Sequence, residues 1–208
     1  MISVPLYDNQ GRTLEPVQVD ETVLGENVRN ALMREAVQMY ENNRHVCTKG
    51  TLTRGMVSVS TRKMHKQKHT GAARVGSDST PQRRGGGVAF APQTRNLTYH
   101  MPRQARRVAT RSALLSRLRD NVVNIVNDFQ FETPKTKSMA ALLKSLGVAG
   151  RCLIVIESDN PLVWKSARNI VGVTVRRVAD LNAYDLLQPD RLVFTQAALQ
   201  RALEACAS

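Results

Sequence analysis

Cationic side chains crowd the stretch Arg62–Pro92, RKMHKQKHTGAARVGSDSTPQRRGGGVAFAP: Arg62, Lys63, Lys66, Lys68, Arg74, Arg83 and Arg84, against one acid, Asp78. An arginine fork can pair two phosphate oxygens or stack on a base, and a lysine supplies a point charge. Gly71, Gly76 and Gly85–Gly87 remove side-chain bulk, so the backbone can approach a phosphate or pass between helices. Phe90 and Tyr99 can stack on unpaired bases, worth about 1–3 kcal/mol each. Phe90 can equally serve as the anchor where this stretch returns to a globule. No apolar period of two or 3.6 residues runs through it, so it cannot build its own core. Unstructured loops beyond about 12–15 residues are usually functional or disordered. A plain linker would carry mixed charge or Ser/Pro repeats; this composition is one-sided and fits a polyanion.

Other chemistries lack their parts. His45, His65, His69 and His100 all fall in the basic region. His65 and His69 have the spacing of a helical metal pair, but Lys66 and Lys68 lie between them and no acid or cysteine is near. They are read as RNA-contacting or stacking groups, with no metal. Gly85–Gly87 are not followed by Lys-Ser/Thr, so they are no nucleoside-triphosphate loop. No G-x-G-x-x-G links a strand to a helix, which argues against a dinucleotide or S-adenosylmethionine site. Glu157-Ser158-Asp159-Asn160-Pro161 reads as a cap for the helix that follows rather than a ribose-binding acid. No catalytic set and no cofactor are expected.

The charge is localised. The 208 residues carry a net +13, but residues 44–111 hold 15 Lys/Arg and one Asp, and the remainder is nearly neutral at −1. A neutral globule with an inserted polycation indicates a localised anionic partner. Cys47, Cys152 and Cys206 are scattered and odd in number, as in a reducing compartment without a disulfide framework. No apolar run reaches the roughly 18–20 residues of a membrane span, and the N-terminus MISVPLYDNQGR lacks the pattern of a leader peptide. The expectation is a cytoplasmic protein with no membrane partner.

The flanking sequence predicts an α/β globule. ISVPL (2–6) and LEPVQV (14–19) read as strands around a turn at Asn9-Gln10-Gly11; Pro5 and Pro16 put them at an edge or outside the main sheet. A helix is expected over Thr22–Glu41, with Leu24, Val28, Ala31/Leu32, Ala36 and Met39/Tyr40 on one face and Asp20 or Thr22 as cap. A basic helix follows at Arg103–Asp120, burying Ala109, Ala113, Leu114 and Leu118. Strands at Asn121–Val126, Cys152–Ile156, Val171–Val175 and Arg191–Thr195 alternate with helices at Lys135–Leu146, Pro161–Arg168, Ala183–Leu187 and Gln196–Ala205. Short apolar strands alternating with helices imply a parallel sheet covered on both faces. The fold class is therefore α/β: a Rossmann-like, three-layer globule (residues 1–43 and 102–208) with a mainly parallel sheet. A long basic extended loop (44–101) is inserted between its first and second long helices. As a hairpin that loop could reach roughly 90 Å at about 3.3 Å per residue.

The basic tracts also resemble a known family. Lys66-Gln67-Lys68, Thr70-Gly71, Ala73-Arg74 and Gly76-Ser77 are similar to the RQKGTGRARxGS tract of the large-subunit ribosomal protein four family. Pro81-Gln82, Arg84-Gly85-Gly86-Gly87-Val88 and Phe90-Ala91-Pro92 resemble its PxWRGGGxxFGP tract. Pro134-Lys135-Thr136-Lys137 and Ala167-Arg168-Asn169 extend the likeness over essentially the whole chain. The resemblance implies an α/β globule on the solvent side of the large subunit, and a loop that runs through ribosomal RNA to the narrowest part of the nascent-chain exit tunnel. It implies as partners large-subunit ribosomal RNA, neighbouring large-subunit proteins and the nascent polypeptide, in the cytoplasm on the ribosome. By position, Lys68, His69, Thr70, Gly71 and Ala72 would border the constriction. The candidate RNA-binding residues are Arg54, Arg62, Lys63, His65, Lys66, Gln67, Lys68, His69 and Arg74 on the outgoing side, then Arg83, Arg84, Gly85, Gly86, Gly87, Arg95, Arg103, Arg106 and Arg107. Met64-His65 stands where the family has Pro-Trp, His69 where it has glycine, Ala72 arginine and Arg83 tryptophan. Two stacking anchors are thus replaced by groups that stack less tightly, and the glycine-to-histidine change at His69 bears on the fine shape that the resemblance implies for the constriction.

The expected function is a structural, non-enzymatic constituent of the large subunit. Two rivals are an RNA-modifying enzyme with a Rossmann-like domain and a basic substrate arm, and an RNA-binding regulator acting outside ribosomes. The first requires a bound nucleotide cofactor and a catalytic constellation at the strand ends; the second requires messenger RNA occupancy away from ribosomes.

Overall fold

The structure, a computed structural model, describes residues 1–25, 27–129, 131 and 133–207. The chain divides into two compact units: Met1–Glu41 with His100–Ser208, and Asn42–Tyr99.

The first unit contains a five-stranded parallel sheet. Its strands are β2 (Leu6–Tyr7), β4 (Val123–Val126), β5 (Cys152–Ile156), β6 (Val173–Arg177) and β7 (Arg191–Thr195), in the order β2-β4-β7-β5-β6. All four pairings are parallel, with Ile125 beside Phe194 and Leu153 beside Leu192. β1 (Ile2–Val4) and β3 (Val17–Val19) form a separate antiparallel pair. Pro5 separates β1 from β2, so the first segment stays outside the main sheet and the second becomes its edge, as the prolines imply.

Side-chain alternation sorts the central strands onto two cores, one on each face. Val123, Ile125, Leu153, Val155, Leu192 and Phe194 belong to one core, with Met33, Ala36, Leu114 and Leu199 from the helices on that face. Cys152, Ile154, Ile156 and Val193 belong to the other, against Met139, Leu142 and Val163. Strands buried on both sides read as continuous apolar runs because neither pleat faces water.

The helices are α1 (Glu21–Leu24), α2 (Asn30–Arg44), α3 (Arg103–Arg119), α4 (Thr136–Ser145), α5 (Pro161–Ala167), α6 (Ala183–Leu187) and α7 (Gln196–Ala207), with a 3-10 turn at Val178–Asp180. The single helix expected over Thr22–Glu41 is two. Gly25 caps α1 in the left-handed region (φ 87°) and stops it; Glu26, also inside that span, lies outside the described residues. Asp20 is the N-cap but makes no side-chain cap bond. The buried face of α2 is Met33, Ala36 and Met39, and Ala31 is exposed. β4 begins at Val123 rather than Asn121, because Asn121 is held at φ 53° in a turn. β6 lies two residues later than expected: Gly172 turns the chain at φ 81°, and Val171 projects into solvent at 97 % exposure. A shift of two preserves strand alternation, so Val173 and Val175 still face the core. Met101, expected within the basic loop, is buried in the core of the globule.

Candidate nucleic-acid interface

The unit Asn42–Tyr99 has no helix or multi-strand sheet beyond the end of α2. Its two limbs are joined by nested hydrogen bonds. Asn43 closes the base: Tyr99 N donates to its Oδ1 (2.9 Å), and its Nδ2 donates to Tyr99 O (3.1 Å). Further out, Thr51 N donates to Pro92 O, Val88 N to Leu52 O and Met64 N to Gly76 O, each at 3.0 Å. His65 Nε2 lies 3.0 Å from Ala73 O. The nest is centred on His69 and Gly71, both in the left-handed region at φ 64° and 65°. Glycine adopts that conformation freely; histidine does so at some cost, in keeping with a tight turn.

The glycine triplet turns out to be needed inside the chain. A Cβ on Gly86 would strike the Thr80 carbonyl, and one on Gly87 would strike the backbone of Thr53 and Arg54. Gly87 N donates to Ser79 O and Gly86 N to Arg83 O, both at 3.1 Å, while Gly85 turns at φ 79° with open space around its α-carbon. A close backbone approach is thus present within the chain, at Gly86 to the preceding turn of its own limb and at Gly87 to the opposite limb.

Almost everything else in this unit faces outward. No apolar side chain between Met39 and Met101 is buried among the described residues; only Ser79 and Gly87 are. Arg54, Arg62, Lys63, Lys66, Gln67, Lys68, His69, Arg74, Arg84 and Arg95 are exposed, and His65 and Arg83 are half-buried. Thr70, Gly71 and Ala72 are exposed as well. Among the described residues none of these cations is in an ion pair. Lys63 Nζ donates to Gln67 Oε1, which holds that end of the limb together. Phe90 is 97 % exposed, so it anchors nothing within the chain and its ring is open to a partner.

Arg103, Arg106 and Arg107 belong instead to the first two turns of α3 in the globule, all exposed. The globule's other arginines are mostly occupied. Arg119 Nη2 donates to Glu21 Oε2 at 2.7 Å, Arg177 is shared between Asp159 and Asp180, and Arg151 pairs with Asp190. The Arg119 hydrogen bond holds the Glu21 carboxyl below its ordinary range, and the Arg151 backbone N–H does the same for Asp190.

The carboxyl ends of the central strands, where a Rossmann-like enzyme would work, form a cleft of about 470 Å³ lined in part by Asp128, Glu157, Thr195 and Gln200. Four of its polar side chains are engaged structurally. Glu157 faces Arg201 at 3.4 Å, Asp128 Oδ1 accepts from Phe129 N, and Thr195 Oγ1 accepts from Ala198 N. Asn160 Oδ1 caps α5 by accepting from Leu162 N (3.1 Å) and Val163 N (3.3 Å), with Pro161 behind it. Among the described residues no three His, Cys, Asp or Glu side chains converge as metal ligands, and no helix is long and apolar enough to cross a membrane.

A model of the Ribosomal protein L4/L1 family matches residues 17–205. A "Large ribosomal subunit protein uL4" of Rhodopirellula baltica is 41% identical over 202 residues, covering 97% of this chain and 91% of its own. Proteins of the same name from Symbiobacterium thermophilum (41% over 204 residues, 98% and 99% covered) and Moorella thermoacetica (40% over 207, 100% of each) are similar to it throughout. The chain belongs to the Ribosomal protein L4/L1 family.

Proposed function

We propose, from membership of the Ribosomal protein L4/L1 family, that this chain is a structural, non-enzymatic constituent of the large ribosomal subunit. In this reading the globule is a Rossmann-like layer that carries no catalysis, and residues 44–101 form the RNA-binding loop. That loop lies among helices of large-subunit ribosomal RNA, and Lys68, His69, Thr70, Gly71 and Ala72 at its tip border the nascent polypeptide at the tunnel constriction. Arg54, Arg62, Lys63, Lys66, Arg74, Arg83, Arg84 and Arg95 neutralise phosphates along its limbs. His65, Gln67 and Phe90 offer stacking or hydrogen-bonding groups to bases.

The observation that carries this reading is the state of Arg54, Arg62, Lys63, Lys66, Lys68, Arg74, Arg84 and Arg95: exposed and, among the described residues, without a carboxylate partner, on a stretch (residues 42–99) with no buried apolar side chain. Such a segment gains its ordering free energy from an external polyanion. Sedimentation of a lysate through sucrose at moderate and then high salt tests the assignment. The expected result is stoichiometric co-migration with large subunits that survives salt. A protein left at the top of the gradient would shift the weight to a free RNA-binding regulator or an RNA-modifying enzyme.

A further inference from the structure

α3 opens against the usual electrostatic preference. Its first turns carry Arg103, Arg106 and Arg107 and no acid, and Pro102 at the N-cap makes no side-chain cap bond. The amino end of a helix is its positive end and favours anions, so these arginines add to the local potential instead of relieving it. One turn further, the Nε of half-buried Arg111 is fully buried with no hydrogen-bond partner among the described residues. A buried guanidinium N–H left unpaired is costly, and an acceptor from outside the chain removes that cost.

All four arginines line one cleft of about 490 Å³ in the globule. Much of the remaining wall is apolar or aromatic, with Leu114 and Leu181 as an apolar floor and Tyr40 beside them, while Thr110, Asn182 and Arg201 are its polar members. Burial pushes the Cys206 thiol up, against the opposing charge of Arg111. Among the described residues none of the four arginines is ion-paired; only Arg201, also on the cleft, is engaged, with Glu157.

The shape selects among anions. An inorganic ion would leave the apolar floor bare. Residues 103, 107 and 111 are spaced four apart, a rise of about 6 Å each along the helix, and so present a row of forks to a row of charges. A single RNA strand carries one phosphate per nucleotide and a flat base between, and arginine pairs phosphate bidentately. The run of positive charge also continues in sequence from the loop through to Arg111.

We propose that this cleft seats one unstacked nucleotide of single-stranded RNA, its base against Tyr40 and the Leu114–Leu181 floor and its flanking phosphates on Arg103, Arg107 and Arg111. The inference rests on the RNA-binding reading above and adds a base pocket on the globule, separate from the loop.

The test uses the full chain and a short single-stranded RNA containing 4-thiouridine, with photocrosslinks mapped by mass spectrometry and affinity measured against salt. Ala205→Trp, at an exposed position on the cleft, fills it without changing charge; Arg103→Gln with Arg107→Gln alters two exposed side chains and leaves the core untouched. Both variants should lose about tenfold of the cleft crosslinks while those on the loop persist. Only the arginine variant should also lower the salt slope, by about two. Absence of cleft crosslinks in the wild type, with loop crosslinks intact, would overturn this inference alone. Absence of RNA binding anywhere would overturn the reading beneath it. Occupancy of the cleft by an Asp/Glu-rich peptide that RNA does not displace would overturn it in favour of a protein partner.

Discussion

Arg119 in the globule reaches Glu21, Arg177 is held between Asp159 and Asp180, and Arg117 donates to the carbonyls of Leu186 (3.0 Å), Leu187 and Pro189 (3.2 Å). In the unit Asn42–Tyr99, Arg62, Arg74, Arg83 and Arg84 have no ion-pair partner among the described residues, and the only acid in the unit is Asp78. The same side chain closes internal contacts in one region and is left open in the other. Burial follows the same division: apolar side chains fill both faces of the sheet, and none is buried between Met39 and Met101 among the described residues. One region is stabilised by its own core; the other has hydrogen-bonded turns and unspent charge. Arginine content alone does not distinguish the two regions; the presence of nearby acids does.

The difference is sharpest in a charge-removal experiment. Changing Arg62, Lys63, Lys66, Lys68, Arg83 and Arg84 together to glutamine should flatten the log–log salt dependence of RNA binding by about five to six from a starting slope of about −7 to −9, and cost on the order of a thousandfold in affinity. The thermal midpoint of the globule should not move, because none of these side chains is part of its core. A fall in the midpoint would break the division between the regions.

The converse change is Phe194→Ala, at a fully buried position on the central strand β7. It should cost about 3–5 kcal/mol of stability through lost burial and a residual cavity, measured by urea unfolding, and leave the salt slope of the folded protein unaltered. The smallest effect is at a helix end. Asn160→Ala removes the acceptor for Leu162 N and Val163 N and should cost about 1 kcal/mol, again with no change in RNA affinity.

How far the sequence disclosed this depends on the kind of signal. β5, β7 and α6 have the bounds read from composition, because a continuous apolar run or a short capped turn needs no distant information. The α1–α2 break was missed because Leu24 and Val28 keep the helical period going across Gly25; the glycine itself was the visible sign. The two-residue displacement of β6 escaped because a shift of two conserves alternation, and only Gly172 marks the turn. The concentration of charge in residues 44–111 is a property of the sequence itself, whereas the nested pairing that turns at His69–Gly71 joins residues too far apart to be read from composition. The glycine triplet reads from sequence as room for an external partner; Gly86 is packed against Thr80 of its own limb, and Gly87 against Thr53–Arg54 of the opposite limb, a contact between segments far apart in sequence. The arginine-lined cleft was illegible for the same reason: α2, α3, the 178–182 segment and α7 each contribute a part. Arg103, Arg106 and Arg107 could be named from sequence, but Arg111 acquires its meaning only from an Nε enclosed without an acceptor.

Limited trypsin digestion of the full chain, free and bound to large-subunit ribosomal RNA, tests the central contrast most directly. Free protein should be cut rapidly at the cations between Arg54 and Arg95 and slowly at the ion-paired arginines of the globule. Bound protein should resist in both regions, because the loop's cations are then covered by phosphate. Rapid cleavage of the loop in the RNA-bound protein, or resistance of residues 54–95 in the free protein, would contradict the account.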